Sequence, residues 1–154
     1  MSTLRAPVAA VEILLVEDNP GDVRLTREAF REVNMSINLQ VASDGVVAMA
    51  ILRREGIHGG SRRPALILLD LNLPKMDGRE VLAQIKSDAG LKTIPTVILT
   101  TSEADSDILM SYQLQANCYL SKPVQLNAFE SIVRSVNDFW LTKVKLPQTP
   151  RRPA

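Results

Sequence analysis

Five side chains in this chain could do chemistry together: Glu17, Asp18, Asp70, Thr100 and Lys122. Each stands at or just beyond the end of a short apolar run. Glu17-Asp18 follow "VEILLV", Asp70 follows "ALILL", Thr100 follows "PTVIL", and Lys122 comes two residues after "ANCYL". One Asp after an apolar run means little, because most such residues cap helices or hold turns. Three carboxylates delivered by two runs are different. If they converge, their like charges repel, and a divalent cation is the natural offset. An all-oxygen donor set suits Mg2+, with Mn2+ as a substitute. The single histidine, His58, and the single cysteine, Cys118, form no cluster that would favour a softer metal. Beside such a cation Asp70 is a candidate nucleophile toward phosphorus. Lys122 is the candidate ammonium, and Thr100 the candidate hydroxyl, for the charge on a transferring phosphoryl group.

These groups need a scaffold that presents them along one edge. The runs at 13–16, 66–69 and 97–99 are nearly continuous in apolar residues, as expected of strands buried on both faces of a parallel sheet. The pattern predicts strands over 11–16, 37–42, 65–69, 95–99 and 116–120. Between and after them lie segments of helical period, predicted over 21–33, 44–54, 77–87, 103–115 and 125–140. Pro20 suits a helix start, and Ser102 is a candidate cap for the fourth helix. Leu126, Phe129, Ile132, Val133 and Val136 make the apolar stripe of the fifth. Five strands alternating with five helices specify an α/β domain with a doubly wound five-stranded parallel sheet, whose active groups gather beyond the carboxyl ends of the strands.

The expected organisation is a flexible leader over 1–10, a folded domain over 11–140 and a basic, proline-rich tail over 141–154. "REGIHGGSRRP" (54–64) reads as an extended surface loop. The 154 residues are 45% hydrophobic and 23% charged, with a formal net charge of +1. That composition is globular and gives no global field to recruit nucleic acid or an anionic membrane. Lys143, Lys145, Arg151 and Arg152 stand in the last twelve residues without an acid; removing these four positive charges from +1 leaves −3 for the rest. No run approaches a membrane span, and the first residues lack a secretory h-region. One unpaired cysteine fits a reducing, cytoplasmic setting.

The pieces "ILLVEDN" (13–19), "LILLDLNLPKMDG" (66–78), "VILTTS" (97–102) and "CYLSKP" (118–123) resemble, in order and over residues 11–139, the receiver domain of bacterial two-component response regulators, the CheY-like superfamily. The resemblance implies a (βα)5 flavodoxin-like fold. It puts Asp70 on the phosphorylated aspartate, Glu17 and Asp18 on the acidic metal-binding pair, and Asn72 where a backbone carbonyl reaches the metal. Thr100 falls on the switch hydroxyl and Lys122 on the invariant lysine, with a cis bond to Pro123. Tyr119 falls on the aromatic that swings inward when the hydroxyl moves toward the phosphoryl group. Thr101 stands where Ala or Gly is common, a position that would tune the lifetime of the phosphate. A closer likeness, in "VEDNPGDVRLTREAF", the 54–64 loop and "VNDFWLTKVKLP", is to the small stand-alone regulators of bacterial and cyanobacterial phytochrome histidine kinases. It implies such a kinase as partner, and a homodimer through the fourth helix, fifth strand and fifth helix, with Phe139 and Trp140 as contacts.

The expected function is that of a phosphorelay regulator that takes phosphoryl from a histidine kinase and turns over no free metabolite. Two other classes compete. A HAD-like Mg2+-dependent phosphohydrolase also uses an Asp nucleophile, but the second Asp of its motif is Asn72 here; sustained hydrolysis of phosphate esters would favour it. A phosphorylation-independent binding module would be expected to lack the Asp or the Lys, and both are present.

Overall fold

The computed structural model describes residues 10–33, 36–123 and 125–147. The leader expected over 1–10 and the end of the tail therefore lie almost wholly outside the described residues. The elements run β1 Val11–Val16, α1 Pro20–Val33, β2 Ile37–Ala42, α2 Gly45–Leu52, β3 Leu66–Leu69, α3 Gly78–Ser87, β4 Thr96–Thr100, α4 Asp105–Gln113, β5 Cys118–Ser121 and α5 Leu126–Trp140. The five strands form one sheet in the order β2-β1-β3-β4-β5, and every pairing is parallel. This is the doubly wound (βα)5 arrangement expected from the sequence.

The period of two along the strands divides the core. Ile13 and Leu15 of β1, with Leu66 and Leu68 of β3, face α1 and α5, where they meet Ala29, Phe30, Phe129, Val133 and Val136. Leu14 and Val16, with Ile67 and Leu69, face the other way and meet Ala48, Met49, Val81, Leu82 and Ile85 of α2 and α3. Both faces of β1 and β3 are therefore dry, which is why these runs read as continuous rather than alternating. Burying one ring such as Phe30 contributes about 1.5–3 kcal/mol. The fourth helix is the exception, since Ser111 is its only fully buried residue.

Boundaries shift by one or two residues where local chemistry intervenes. Helix α2 stops at Leu52 because Arg54 turns to a left-handed φ of 55°. The 54–64 connection carries a single 3-10 turn at Gly56–His58 within an otherwise irregular loop. Helix α4 begins at Asp105, and its cap position is Ala104, with no side-chain cap. Ser102, expected as that cap, donates its hydroxyl to Asp107 Oδ2 at 2.6 Å instead. No peptide bond among the described residues is cis, so the Lys122–Pro123 bond is trans, contrary to the expectation from the resemblance. The trans form is the lower-energy one for most X–Pro bonds. No helix is long and apolar enough to cross a membrane among the described residues.

Candidate functional site

The register of the sheet assembles the site. Val16 pairs with Leu69, Leu69 with Ile98, and Thr100 with Ser121, so neighbouring parallel strands end at a common rim. Backbone bonds continue the pairing past the strand ends: Asp70 N donates to Val16 O at 3.1 Å, and Lys122 N donates to Thr100 O at 2.7 Å. The turn after β3 is closed by Gly78, whose N–H donates to Leu71 O at 3.0 Å. A Cβ at Gly78 would stand 2.1 Å from Asp70 O, so only glycine lets α3 start this close to the aspartate. Leu71, fully buried one residue past Asp70, anchors the turn from below.

On this rim the Lys122 ammonium, its side chain 4% exposed, donates to three carboxylates. It reaches Asp70 Oδ2 at 3.0 Å, Asp22 Oδ2 at 2.9 Å, and Glu17 Oε1. The other Asp70 oxygen, Oδ1, accepts the Thr100 hydroxyl at 2.8 Å and the Asn72 N–H at 3.1 Å. Glu17 Oε2 accepts the amide of Asp18 at 3.0 Å. Glu17, Asp18 and Asp70 each offer a carboxylate oxygen, and these oxygens lie within 4.8 Å of one another.

The electrostatics follow from burial and crowding. Burial pushes the Glu17 carboxyl up to about 8, with the Asp70 charge adding to the rise and Lys122 opposing it. Burial also works against the Asp70 carboxylate, but Lys122, Thr100 and the Asn72 amide together hold it below its usual range. Burial disfavours the Lys122 ammonium too, yet its bonds to Glu17 and Asp22 carry it above the usual lysine range. One buried cation thus serves more acids than it can neutralise. A cluster of hard oxygen donors left with excess negative charge fits a divalent cation such as Mg2+ or Mn2+.

The five residues singled out from strand ends are therefore brought together. The others stand around them. Asn72 is exposed at the turn, and its amide supports Asp70. Thr101 is exposed, directly after Thr100. Tyr119 lies half-buried on the edge strand β5, packed against the α2/α3 core, and its hydroxyl donates to Ser102 O at 2.9 Å. Phe139 and Trp140 are apart from the site, in the last turn of α5, with ring centroids 5.7 Å apart and edge to face at 87°. Trp140 packs on the α1/α5 core, whereas Phe139 is 54% exposed.

Asp22 escaped sequence reasoning. It lies in the first turn of α1, where an acid is expected on helix-dipole grounds alone. Only the tertiary fold, which packs α1 against α5, makes it a partner of Lys122, one hundred residues away. The ion pair between Arg79 and Asp107, beside the site, was missed for the same reason.

Comparison with known proteins bears on the same residues. The family model described as response regulator receiver domain matches residues 13–134. Response regulator Rcp1 of Synechocystis sp. is 49% identical over 135 residues, which cover 88% of this chain and 92% of Rcp1. Among solved structures, the phosphorylated cyanobacterial phytochrome response regulator RcpA superposes with a TM-score of 0.88 at 49% identity, covering 91% of this chain and 100% of that one. The Mn2+-bound form of Rcp1 gives 0.86 at 48% identity, covering 90% and 99%.

Proposed function

The chain belongs to the response regulator receiver domain family, and on that premise we propose that Asp70 is its phosphoacceptor, supplied by a phytochrome-type histidine kinase. As a receiver it acts in a phosphorelay as a phosphoacceptor with self-catalysed phosphorylation and dephosphorylation, not as an enzyme turning over a free metabolite. The observation that carries the assignment is the grip on one carboxylate: Thr100 and Asn72 hold Asp70 Oδ1, and Lys122 holds Oδ2, beside two further acids.

That grip suggests how the residues divide the work. An Asp70 oxygen attacks phosphorus as the P–N bond to the donor imidazole breaks. The electron pair leaves on the imidazole nitrogen, and an acyl phosphate forms at Asp70. Lys122 turns one N–H from the carboxylate to a phosphoryl oxygen, while Glu17 and Asp22 keep the other two in place. The Thr100 hydroxyl follows the phosphoryl group in the same way. Glu17, Asp18, Asp70 and the Asn72 backbone carbonyl would hold Mg2+, or Mn2+ as in the relative's Mn2+-bound structure; the bound cation supplies positive charge against the phosphoryl oxygens. Thr101, exposed at the mouth, would set how easily water reaches the product. Thr100 and Tyr119 then report the change to a partner surface. We further assign to this chain a cytoplasmic setting and a homodimer through α4, β5 and α5, in which exposed Leu109, Tyr112 and Phe139 offer apolar contact.

The test is intact mass after incubation with acetyl phosphate and Mg2+. The wild-type chain should gain one labile phosphoryl group, and Asp70→Asn should gain none while keeping its circular dichroism. An equal mass gain in the variant would remove Asp70 from the role. Phosphotransfer from a purified phytochrome-type kinase, compared with unrelated histidine kinases, tests the partner.

A further inference from the structure

Beside the acid cluster runs a second polar network that the phosphoryl chemistry does not use. Arg79, in the first turn of α3, spreads its guanidinium over three segments. Its Nε donates to Asp107 Oδ1 of α4 at 3.0 Å, and Nη2 makes an ion pair with the same oxygen at 2.8 Å. Its Nη1 donates to both oxygens of Asp77 at 3.1 Å and lies 3.4 Å from Leu71 O, one residue past Asp70. Asp107 Oδ2 accepts the Ser102 hydroxyl at 2.6 Å. The Ser102 carbonyl in turn accepts the Tyr119 hydroxyl at 2.9 Å. The chain of bonds begins beside Asp70 and ends on Tyr119, passing within two residues of Thr100.

What makes this more than a surface pair is the helix it holds. Helix α4 has no side-chain cap and only Ser111 fully buried, so packing does little to fix its first turn. The planar guanidinium of Arg79 does that instead, holding Asp107 Oδ1 through Nε while Nη1 stays on Asp77, a spread that a single-point cation could not reproduce. Ser102 is then fixed from Asp107, and its carbonyl is aimed at β5.

We propose that Arg79 and Asp107 are positioning residues of the switch. They clamp the β4–α4 connection so that the Ser102 carbonyl holds the Tyr119 hydroxyl, which couples movement at Thr100 to the α4–β5 surface. The clamp itself is a property of the unphosphorylated chain; only the signal it transmits rests on the receiver reading.

The experiment uses the full chain labelled with 3-fluorotyrosine. Only Tyr112 and Tyr119 are present, and a Tyr112→Phe background leaves a single fluorine signal. Asp107→Asn should shift or broaden the Tyr119 signal before any phosphoryl group is added. In a urea double-mutant cycle, Asp107→Asn and Tyr119→Phe should be non-additive by at least about twofold in the unfolding equilibrium constant. An ion pair that merely stabilised the fold would give additive effects and an unmoved signal, and that result overturns the clamp. Arg79→Met gives the same two readouts should Asp107→Asn fail to fold. After acetyl phosphate and Mg2+, the wild-type Tyr119 signal should move again. In Asp107→Asn this second shift should be lost although mass shows phosphoryl uptake; a full shift there would end the coupling role. If the wild-type chain takes up no phosphoryl group, the phosphoacceptor reading falls, while the cycle and the first shift still decide the clamp.

Discussion

The two rims of the sheet both carry ion pairs, and they are of opposite kinds. At the carboxyl rim Lys122, 4% exposed, faces Glu17, Asp22 and Asp70, themselves 4%, 27% and 8% exposed. At the amino rim Glu12 meets Arg62 at 3.5 Å, with the arginine 76% exposed and free to exchange water for its partner. This pair, with Glu12 15% exposed, is balanced, one charge against one. The buried set is not, with more acids than bases gathered where solvent cannot screen them. Stability alone does not call for such an arrangement, because well-packed apolar residues of the same volume often do as well. A buried imbalance of charge therefore marks the functional rim, and a balanced pair with a solvated arginine marks the structural one.

The hardest way to break this contrast is at Lys122. Lys122→Met removes the only ammonium from three carboxylates and should destabilise the chain by about 3–5 kcal/mol in metal-free buffer at neutral pH. Added Mg2+ should recover part of that loss, since it replaces the missing charge. Urea unfolding with and without Mg2+ measures both; a loss below about 1 kcal/mol would mean that the cluster relaxes as an exposed one does.

Asp44 sharpens the comparison, because it is a buried acid at the same rim held mainly by backbone. Its Oδ1 caps α2 by accepting the Val47 N–H at 2.8 Å, and Lys75 approaches only at 3.5 Å from solvent. The Val47 amide lowers its pKa, burial opposes, and Lys75 assists. A depressed carboxyl contributes stability that is present above its unfolded pKa and lost as pH falls through the folded one. Asp44→Ala should thus cost about 1 kcal/mol at neutral pH and progressively less in acid. Thermal melts across the acid range would show it, and a cost independent of pH would contradict the charged cap.

The smallest effect belongs to the amino rim. Arg62→Ala should change stability by less than about 1 kcal/mol, and by less still as salt is raised. A larger loss by urea unfolding would show that the Glu12 Oε1 atom, buried and without a hydrogen bond among the described residues, leans on the arginine more than the arginine's exposure suggests.

Much of the carboxyl rim was legible in the sequence. Continuous apolar runs locate β1, β3 and β4, and the rule that parallel strands deliver their groups at one edge brings Glu17, Asp18, Asp70, Thr100 and Lys122 together. Residues that act from helices were harder to see. Asp22 looks like an ordinary first-turn acid, Arg79 and Asp107 like solvated charges, and Ser102 like a cap. Phe139 and Trp140 looked alike as neighbours, yet one packs on the core and the other faces solvent.

The sequence by itself determined the elements, their order and the chemical types standing at the strand ends, because hydrophobic period and turn residues are local properties written along the chain. Only the tertiary structure decided which charges share a partner: Asp22 with Lys122, Arg79 with Asp107, and the Tyr119 hydroxyl with the Ser102 carbonyl. Those choices depend on how helices dock on the sheet and which rotamers the packing admits, and no periodicity records a contact between residues tens of positions apart.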